Sequence, residues 1–461
     1  MKRFGTIFTL CIILAIAGCG KSAPVAAPDG AVTKGTPEQT SPPAPAAEPA
    51  SPPAQANVNT SQTAAKTEAA LSAEPAAERT LPAGHWLEGT SKELDMLDAI
   101  IAPAAPRKLL AESGPAYLEQ IGLARVLHLK GTHYEMGKQH GTLMKEEILA
   151  AANLIKTIGA FEWKENYQVS IREAWTRTSP FIPDKYKDEI RGMAEAIGLT
   201  EEDVQNFTIF PELFHCSGFA VWGKATEDGS LLHGRVLDYM RDAGLDKWAL
   251  VIIQEPEGAN AFVNVGYSGT IGSVTGMNMQ HVAIGEMGGR GEGQWDGMPM
   301  TLLLRECLES ANTLDDAQRI MSESKRTCEY YYVISDSKAN NGRGDAVGVA
   351  ATPEQIQFIH ANEFNERLPR PVEDAVLLSA DDRYNCLADR VQKMYGKINP
   401  QVGMDIMARG VAMKSNMHNA LFKPATLEMW VANSTVKEPA CNLPYTYFNL
   451  KELQEQRPSA Q

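Results

Sequence analysis

From about residue 120 onward the apolar residues recur with two different periods, and the switches between them mark the elements. Residues 123–133 alternate as a strand. A helix is expected over 134–158, with Ile148, Ala152, Ile155 and Ile158 on one face and Gly159 as its stop. A second helix over 186–197 buries Ile190, Met193, Ala194 and Ile197 and ends at Gly198; Thr200-Glu201-Glu202-Asp203 is close to a capping box for the next. After residue 216 the period becomes two, with strands expected at 217–223, 230–238, 247–255, 260–266, 271–276 and 281–286. Helices follow at 299–310 and at 314–323, the latter capped by Thr313, then strands at 329–335, 345–350 and 355–360. Helices near 382–395 and 403–411 and strands near 418–423 and 427–433 complete the pattern. Blocks of strands between blocks of helices describe an α+β protein with a sheet-rich core.

The first 84 residues follow neither period. Residues 1–19 read as a targeting segment: Lys2 and Arg3, then an apolar stretch from Ile7 to Ala17 too short to span a bilayer. It closes on Ile16-Ala17-Gly18-Cys19, which resembles a bacterial lipoprotein signal and implies lipidation of Cys19; an ordinary secretory signal is the alternative. Gly20, where Asp would be a retention signal, implies an outer membrane if the organism has one. Residues 20–84 are rich in Ala and Pro, bury too little apolar surface to offset ordering, and read as a disordered tether. The expected location is the cell envelope, with the lipid bilayer as a partner through the anchor.

Charge narrows the remaining partners. The formal net charge is −14, from 43 basic and 57 acidic side chains, which argues against nucleic acid. Of seven cysteines, Cys11 leaves with the signal and Cys19 takes the lipid. Cys216, Cys307, Cys328, Cys386 and Cys441 remain, and pairing among the last four is open. There is no Cys-x-x-Cys, and His133 and His140 lack a third ligand, so they read as packing or capping groups.

The candidate chemistry lies in one hairpin. The run His215-Cys216-Ser217-Gly218-Phe219-Ala220-Val221 turns at Glu227-Asp228-Gly229 and returns as His233-Gly234-Arg235-Val236-Leu237-Asp238-Tyr239, which brings Arg235 and Asp238 back beside Cys216. A nearby cation favours thiolate. Cysteine followed by Gly-Arg-x-Leu-Asp resembles the start of the mature chain in cysteine N-terminal-nucleophile hydrolases, the class of choloylglycine hydrolase, penicillin V acylase, acid ceramidase and acyl-coenzyme A:6-aminopenicillanate acyltransferase. The phrases Gly131 to Gly141, Tyr186 to Ala196 and Phe207 to His215 resemble the acyltransferase group.

The resemblance covers about residues 120–450. It implies a four-layer αββα fold, with 85–215 as a helical N-terminal segment and 216–461 as the catalytic domain. It implies self-cleavage between His215 and Cys216, two associated fragments, and a Cys216 whose new α-amine is the base for its own thiol. An α-amine titrates near ~8, against ~10.4 for a lysine. Asp238 would orient that amine, and Arg235 would favour thiolate and contact the substrate; a plain hairpin salt bridge between the two is the alternative. No metal or organic cofactor is implied. Val236 replaces the family's usual Asn. The strand reaching Glu286, Met287, Gly288 and Gly289 borders the family site, which offers Gly288 as a backbone oxyanion donor and Glu286 as a specificity residue. Asn278 reads as a turn former, and Gly288 to Gly293 as a loop rimming the pocket. A late Asn of the family is missing from Leu378 to Tyr384, leaving Ser379 or a backbone group in its place. Arg383 there is either a site residue or a salt bridge, and His418 is a supporting candidate.

The expected activity is cleavage or transfer of the acyl group of a small linear amide through a Cys216 thioester. Two other readings stand beside it: an unprocessed thiol hydrolase with a histidine such as His233 as base, and a surface lipoprotein that binds ligand on the same fold without reacting.

Overall fold

The computed structural model describes residues 98–458, except 163–166, 210–214, 240, 291–292, 367 and 380–381. The signal, Cys19 and the tether lie outside the described residues. In chain order the elements are β1 (Lys108–Ser113), β2 (Ala116–Ile121), β3 (Ala124–Gly131), α1 (His133–Leu143), α2 (Lys145–Glu162), α3 (Tyr167–Thr178), α4 (Asp184–Ile197) and α5 (Glu201–Ile209). Next come β4 (His215–Val221), β5 (Leu232–Asp238), β6 (Ala249–Pro256), β7 (Phe262–Tyr267), β8 (Thr275–Asn278), β9 (Val282–Arg290), α6 (Met300–Ser310) and α7 (Leu314–Glu323). The chain continues through β10 (Glu329–Asp336), β11 (Asp345–Ala351), β12 (Ile356–His360), β13 (Ala375–Ser379), α8 (Arg383–Lys393), α9 (Pro400–Ile406), β14 (Asn416–Lys423), β15 (Glu428–Asn433), β16 (Thr446–Asn449) and α10 (Leu450–Glu455).

The strands form two sheets. One runs β1-β2-β3-β6-β7-β8-β9-β10-β11-β12, the other β13-β4-β5-β14-β15-β16, and the pair His215↔Gly288 of β4 and β9 joins them. Alternation along the strands sorts the core into layers. In β6, Leu250 and Ile252 pack with Met136, Met193 and Leu304 of the helices, whereas Val251 and Ile253 pack with Ala420, Phe422, Met429 and Val431 of the second sheet. In β14, Leu421 turns the other way, toward Leu387 and Met404 of α8 and α9. Helices, sheet, sheet, helices is the αββα order that the sequence resemblance implies.

Several elements differ from the sequence pattern. Residues 85–215 are not only helical, since β1 to β3 belong to the first sheet and β3 runs parallel to β6 across the site of the expected cleavage. The helix expected over 134–158 is two, broken at Met144, and the second passes Gly159 to reach Glu162. Thr132 begins the first with a capping box to Glu135. The α1 and α4 helices cross so closely that a Cβ on Gly137 would lie 2.0 Å from the Glu189 carbonyl oxygen, and one on Gly192 would lie 2.1 Å from that of Tyr134. That contact explains two glycines of the phrases 131–141 and 186–196.

A buried ion cluster ties these N-terminal helices to α6. Arg305, wholly buried, pairs with Glu189 at 2.6 Å and Glu309 at 2.7 Å. Glu309 also meets His133 at 3.1 Å and Lys185 at 2.9 Å. Charges withdrawn from water in this way are tolerated only when paired.

Candidate active site

The β4–β5 pairing carries the site. Cys216 lies opposite Leu237, Gly218 opposite Arg235 and His215 opposite Asp238. The connection is longer than the tight turn expected at Glu227-Asp228-Gly229: it runs from Trp222 to Leu231, with a 3-10 turn at Gly223–Ala225 and Gly229 at φ +77°.

Cys216 is wholly buried. The carboxylate of Glu286 and the backbone of Asp238 lie beside its thiol. Glu286 in turn pairs with Arg235 at 3.1 Å, both side chains being fully buried. A bulge makes this contact possible. On β10 Tyr330 and Tyr332 are two apart, yet they face Gly289 and Glu286, three apart on β9. The extra residue bends β9 toward β4 and re-aims Glu286 at the thiol. Gly288 supplies the bulge with φ +96°, a region that disfavours side chains. The Gly288 N–H, expected as an oxyanion donor, is given to Glu286 instead.

Burial pushes the Cys216 thiol well above its ordinary range, and the Arg235 charge pulls the other way. Burial also raises Glu286, against the pull of Arg235, so this carboxylate holds a proton more readily than one in water. Two guanidinium nitrogens of Arg235, Nε and Nη1, are buried with no partner among the described residues. These buried donors belong to the same cluster as Cys216.

Arg235 and Asp238 do not pair with each other. Three apart on an extended strand, they face opposite sides of the sheet. Asp238 is held on the far side by Arg383 at the start of α8 and by the Met413 N–H at 2.9 Å. Burial nevertheless raises it from 3.8 to about 6, Arg383 opposing. Its register opposite His215 puts it next to the bond expected to break. Ser379 meets Ser217 at 2.6 Å, on the strand that carries Cys216.

His233 is elsewhere. It lies opposite Ala220, four residues along β5 from Leu237, roughly 13 Å at strand rise, and bonds Ser335 at 2.8 Å. Burial, with Arg235 adding, drives it down to about 3, so it is neutral. Asn278 is a turn residue: its side-chain oxygen accepts from the N–H groups of Gln280 and Val282, each at 3.0 Å. His140 is a packing residue that accepts from the Gly269 N–H at 3.1 Å.

A pocket with a cavity volume of about 80 Å³ adjoins Leu237. Ala151, Ile155, Leu245, Trp248, Val274 and Met417 give it apolar walls, and Tyr267 adds a hydroxyl. The sequence pattern did not point to Tyr267, Trp248 or Asn416 as site residues; strand-end and core residues of ordinary type carry no local signal of what they will face. Cys216, Arg235, Glu286, Asp238 and Arg383 come together around one bond, with Gly288 as support.

Residues 225–433 match the model of the acyl-coenzyme A:6-aminopenicillanic acid acyl-transferase family. The chain is 24% identical over 389 residues to Protein dcd1B of Dictyostelium discoideum, covering 72% of this chain and 75% of that protein. It is 26% identical over 192 residues to acid ceramidase of Rattus norvegicus, covering 35% of this chain and 47% of the relative. Among solved structures it is similar to the Caenorhabditis elegans ortholog of N-acylethanolamine-hydrolyzing acid amidase, at TM-score 0.37 and 15% identity over 46% of this chain and 93% of that one.

Proposed function

We propose that this chain, whose residues 225–433 belong to the acyl-coenzyme A:6-aminopenicillanic acid acyl-transferase family, cleaves or transfers the acyl group of a linear amide through a thioester on Cys216. The observation that carries the reading is the unit of Cys216, Glu286 and Arg235 beside the His215–Cys216 bond, with Asp238 opposite His215.

The unit supports self-cleavage first. While the Cys216 nitrogen is in a peptide bond it cannot act as a base, but Glu286 already stands beside the thiol. Glu286 takes the proton as sulfur attacks the His215 carbonyl carbon. The C–N bond then breaks, and the same proton passes to the departing nitrogen. Water hydrolyses the resulting thioester, leaving a His215 carboxylate, a free thiol and a free α-amine on Cys216. In turnover the amine takes the thiol proton, sulfur attacks the substrate amide, and the amine returns the proton to the leaving nitrogen. Water or an acceptor amine resolves the acyl-enzyme. Asp238, held by Arg383, steadies the amine as ammonium; Arg235 carries charge on the acyl oxygen.

The apolar walls of the pocket favour an apolar acyl group. The two fragments stay together because β3 and β6 share a sheet and because the Arg305 cluster joins α4 to α6. The lipid anchor on Cys19 would hold the assembly in the cell envelope, as a small-molecule enzyme at a bilayer surface.

One observation favours a second reading. Since Glu286 stands at the thiol without any new N-terminus, an unprocessed thiol hydrolase with Glu286 as its base is also consistent with the geometry. Denaturing electrophoresis and N-terminal sequencing of the active protein and of Cys216→Ala separate them. Two pieces in the wild type, the second opening Cys-Ser-Gly-Phe, and one piece in the variant are expected. An active wild type that stays in one piece would establish the unprocessed enzyme.

A further inference from the structure

An acyl-transfer site needs hydrogen-bond donors for the oxygen that gains charge, and the Gly288 N–H is already used by Glu286. The pocket wall offers another donor in Tyr267, at the end of β7. Its hydroxyl lies 3.2 Å from His418 Nδ1, and His418 Nε2 lies 3.0 Å from the Thr275 hydroxyl. Cys216, Leu237 and His418 form one row across β4, β5 and β14. At about 4.8 Å between neighbouring strands, the backbone of His418 is roughly 10 Å from that of Cys216. The Tyr267 hydroxyl rests over this row, inside the pocket an acyl group would fill.

The chain Thr275, His418, Tyr267 has a direction. Among the described residues, the hydrogen-bond partner of the buried Thr275 hydroxyl is His418. If His418 Nε2 carried the proton, the Thr275 hydrogen would be buried without an acceptor, at a cost of about 1–3 kcal/mol. So Thr275 donates to Nε2, and the ring proton sits on Nδ1. From there it is donated to the Tyr267 oxygen, which leaves the phenolic hydrogen to turn into the pocket. Burial, with the charge of Arg235 adding, keeps His418 far below its ordinary range and hence neutral, as this polarity requires.

We propose that Tyr267 donates its phenolic hydrogen bond to the carbonyl oxygen of the acyl group reacting at Cys216, with His418 and Thr275 as positioning residues that set its direction. The proposal rests on the thioester reading and adds a residue to it. It also states what the pocket selects: an apolar acyl chain whose one polar atom is the reacting carbonyl.

The test uses the full chain with octanoyl p-nitroanilide as probe, following p-nitroaniline release and, by acid quench and mass spectrometry, the octanoyl adduct on Cys216. Tyr267→Phe should lower kcat about 100-fold or more, with KM changed by less than about threefold, as for loss of one oxyanion donor. Its fragment pattern should match the wild type, and its melting temperature should fall by a few degrees only, because the ring stays while the His418 Nδ1–H loses its acceptor. Thr275→Val should lower kcat in the same sense by letting His418 turn its proton around, and Thr275→Ser should restore it. An unchanged kcat in Tyr267→Phe, or an effect confined to KM, would overturn the proposal. Turnover by the wild type with no octanoyl adduct on Cys216 would instead overturn the thioester reading beneath it.

Discussion

The Cys216 thiol sits beside Glu286, a carboxylate brought to it from the other sheet by the β9 bulge. The thiol therefore has a carboxylate next to it in the uncleaved chain. Arg235 holds that carboxylate, so thiol, carboxylate and cation form one buried unit.

Glu286→Gln keeps the shape of the unit and removes its proton acceptor. Self-cleavage should slow by about 100-fold or more, seen as persistence of the full-length band after synthesis. The variant also leaves the Arg235 charge unmatched, so its urea midpoint should fall. Maturation at the wild-type rate would remove Glu286 from the proton transfer.

Gly285 sets the position of Arg235. A Cβ there would lie 2.6 Å from Arg235 Cγ and 2.8 Å from the Met287 methyl carbon. Gly285→Val should push Arg235 away from Cys216, at a cost of about 1–3 kcal/mol in stability. Alkylation of Cys216 by iodoacetamide should slow in step with activity, because the thiolate loses its cation. Equal alkylation rates would show that Arg235 does not act on the sulfur.

Asp238 should leave a pH signature on stability. Its folded value of about 6 is above the ordinary 3.8, so the folded state binds the proton more tightly. Its contribution is then complete below about pH 4 and is lost as pH rises through 6, by up to about 3 kcal/mol. Urea unfolding of Cys216→Ala with and without Asp238→Asn, between pH 4 and 7, measures it. The difference between the two curves should shrink or reverse in that window; parallel curves would place the Asp238 titration elsewhere.

Arg305→Met leaves Glu189 buried without its paired cation and takes Arg305 from Glu309, which keeps Lys185 and His133, a loss of about 3–5 kcal/mol. In the processed protein the two pieces should separate on size exclusion at a urea concentration that leaves the wild-type pair intact. Replacing both carboxylates by Gln in the same chain should restore part of the association.

Anchoring has a direct assay. Cys19→Ser should move the protein from the membrane pellet to the soluble fraction. Wild-type partitioning of the variant would remove the lipoprotein reading.

Local patterning determined a good part of this protein. The alternation through 217–238 placed Cys216 and Arg235 on paired strands, the run at 186–198 gave α4 with its glycine end, and the strand–helix blocks gave an α+β core. The hairpin salt bridge weighed between Arg235 and Asp238 does not form, because three residues of extended chain reverse the face. Tertiary structure alone decided their partners. Arg235 takes Glu286, 51 residues away, and Asp238 takes Arg383, 145 residues away. Periodicity reports which residues face inward; it does not report which distant strand covers them. Desolvation then makes the choice, since a buried charge must find an opposite charge among whatever the other sheet and the α8 layer present. The pocket has the same origin: its walls come from residues as distant as Ala151 and Met417, which become neighbours only when the helices close over the first sheet.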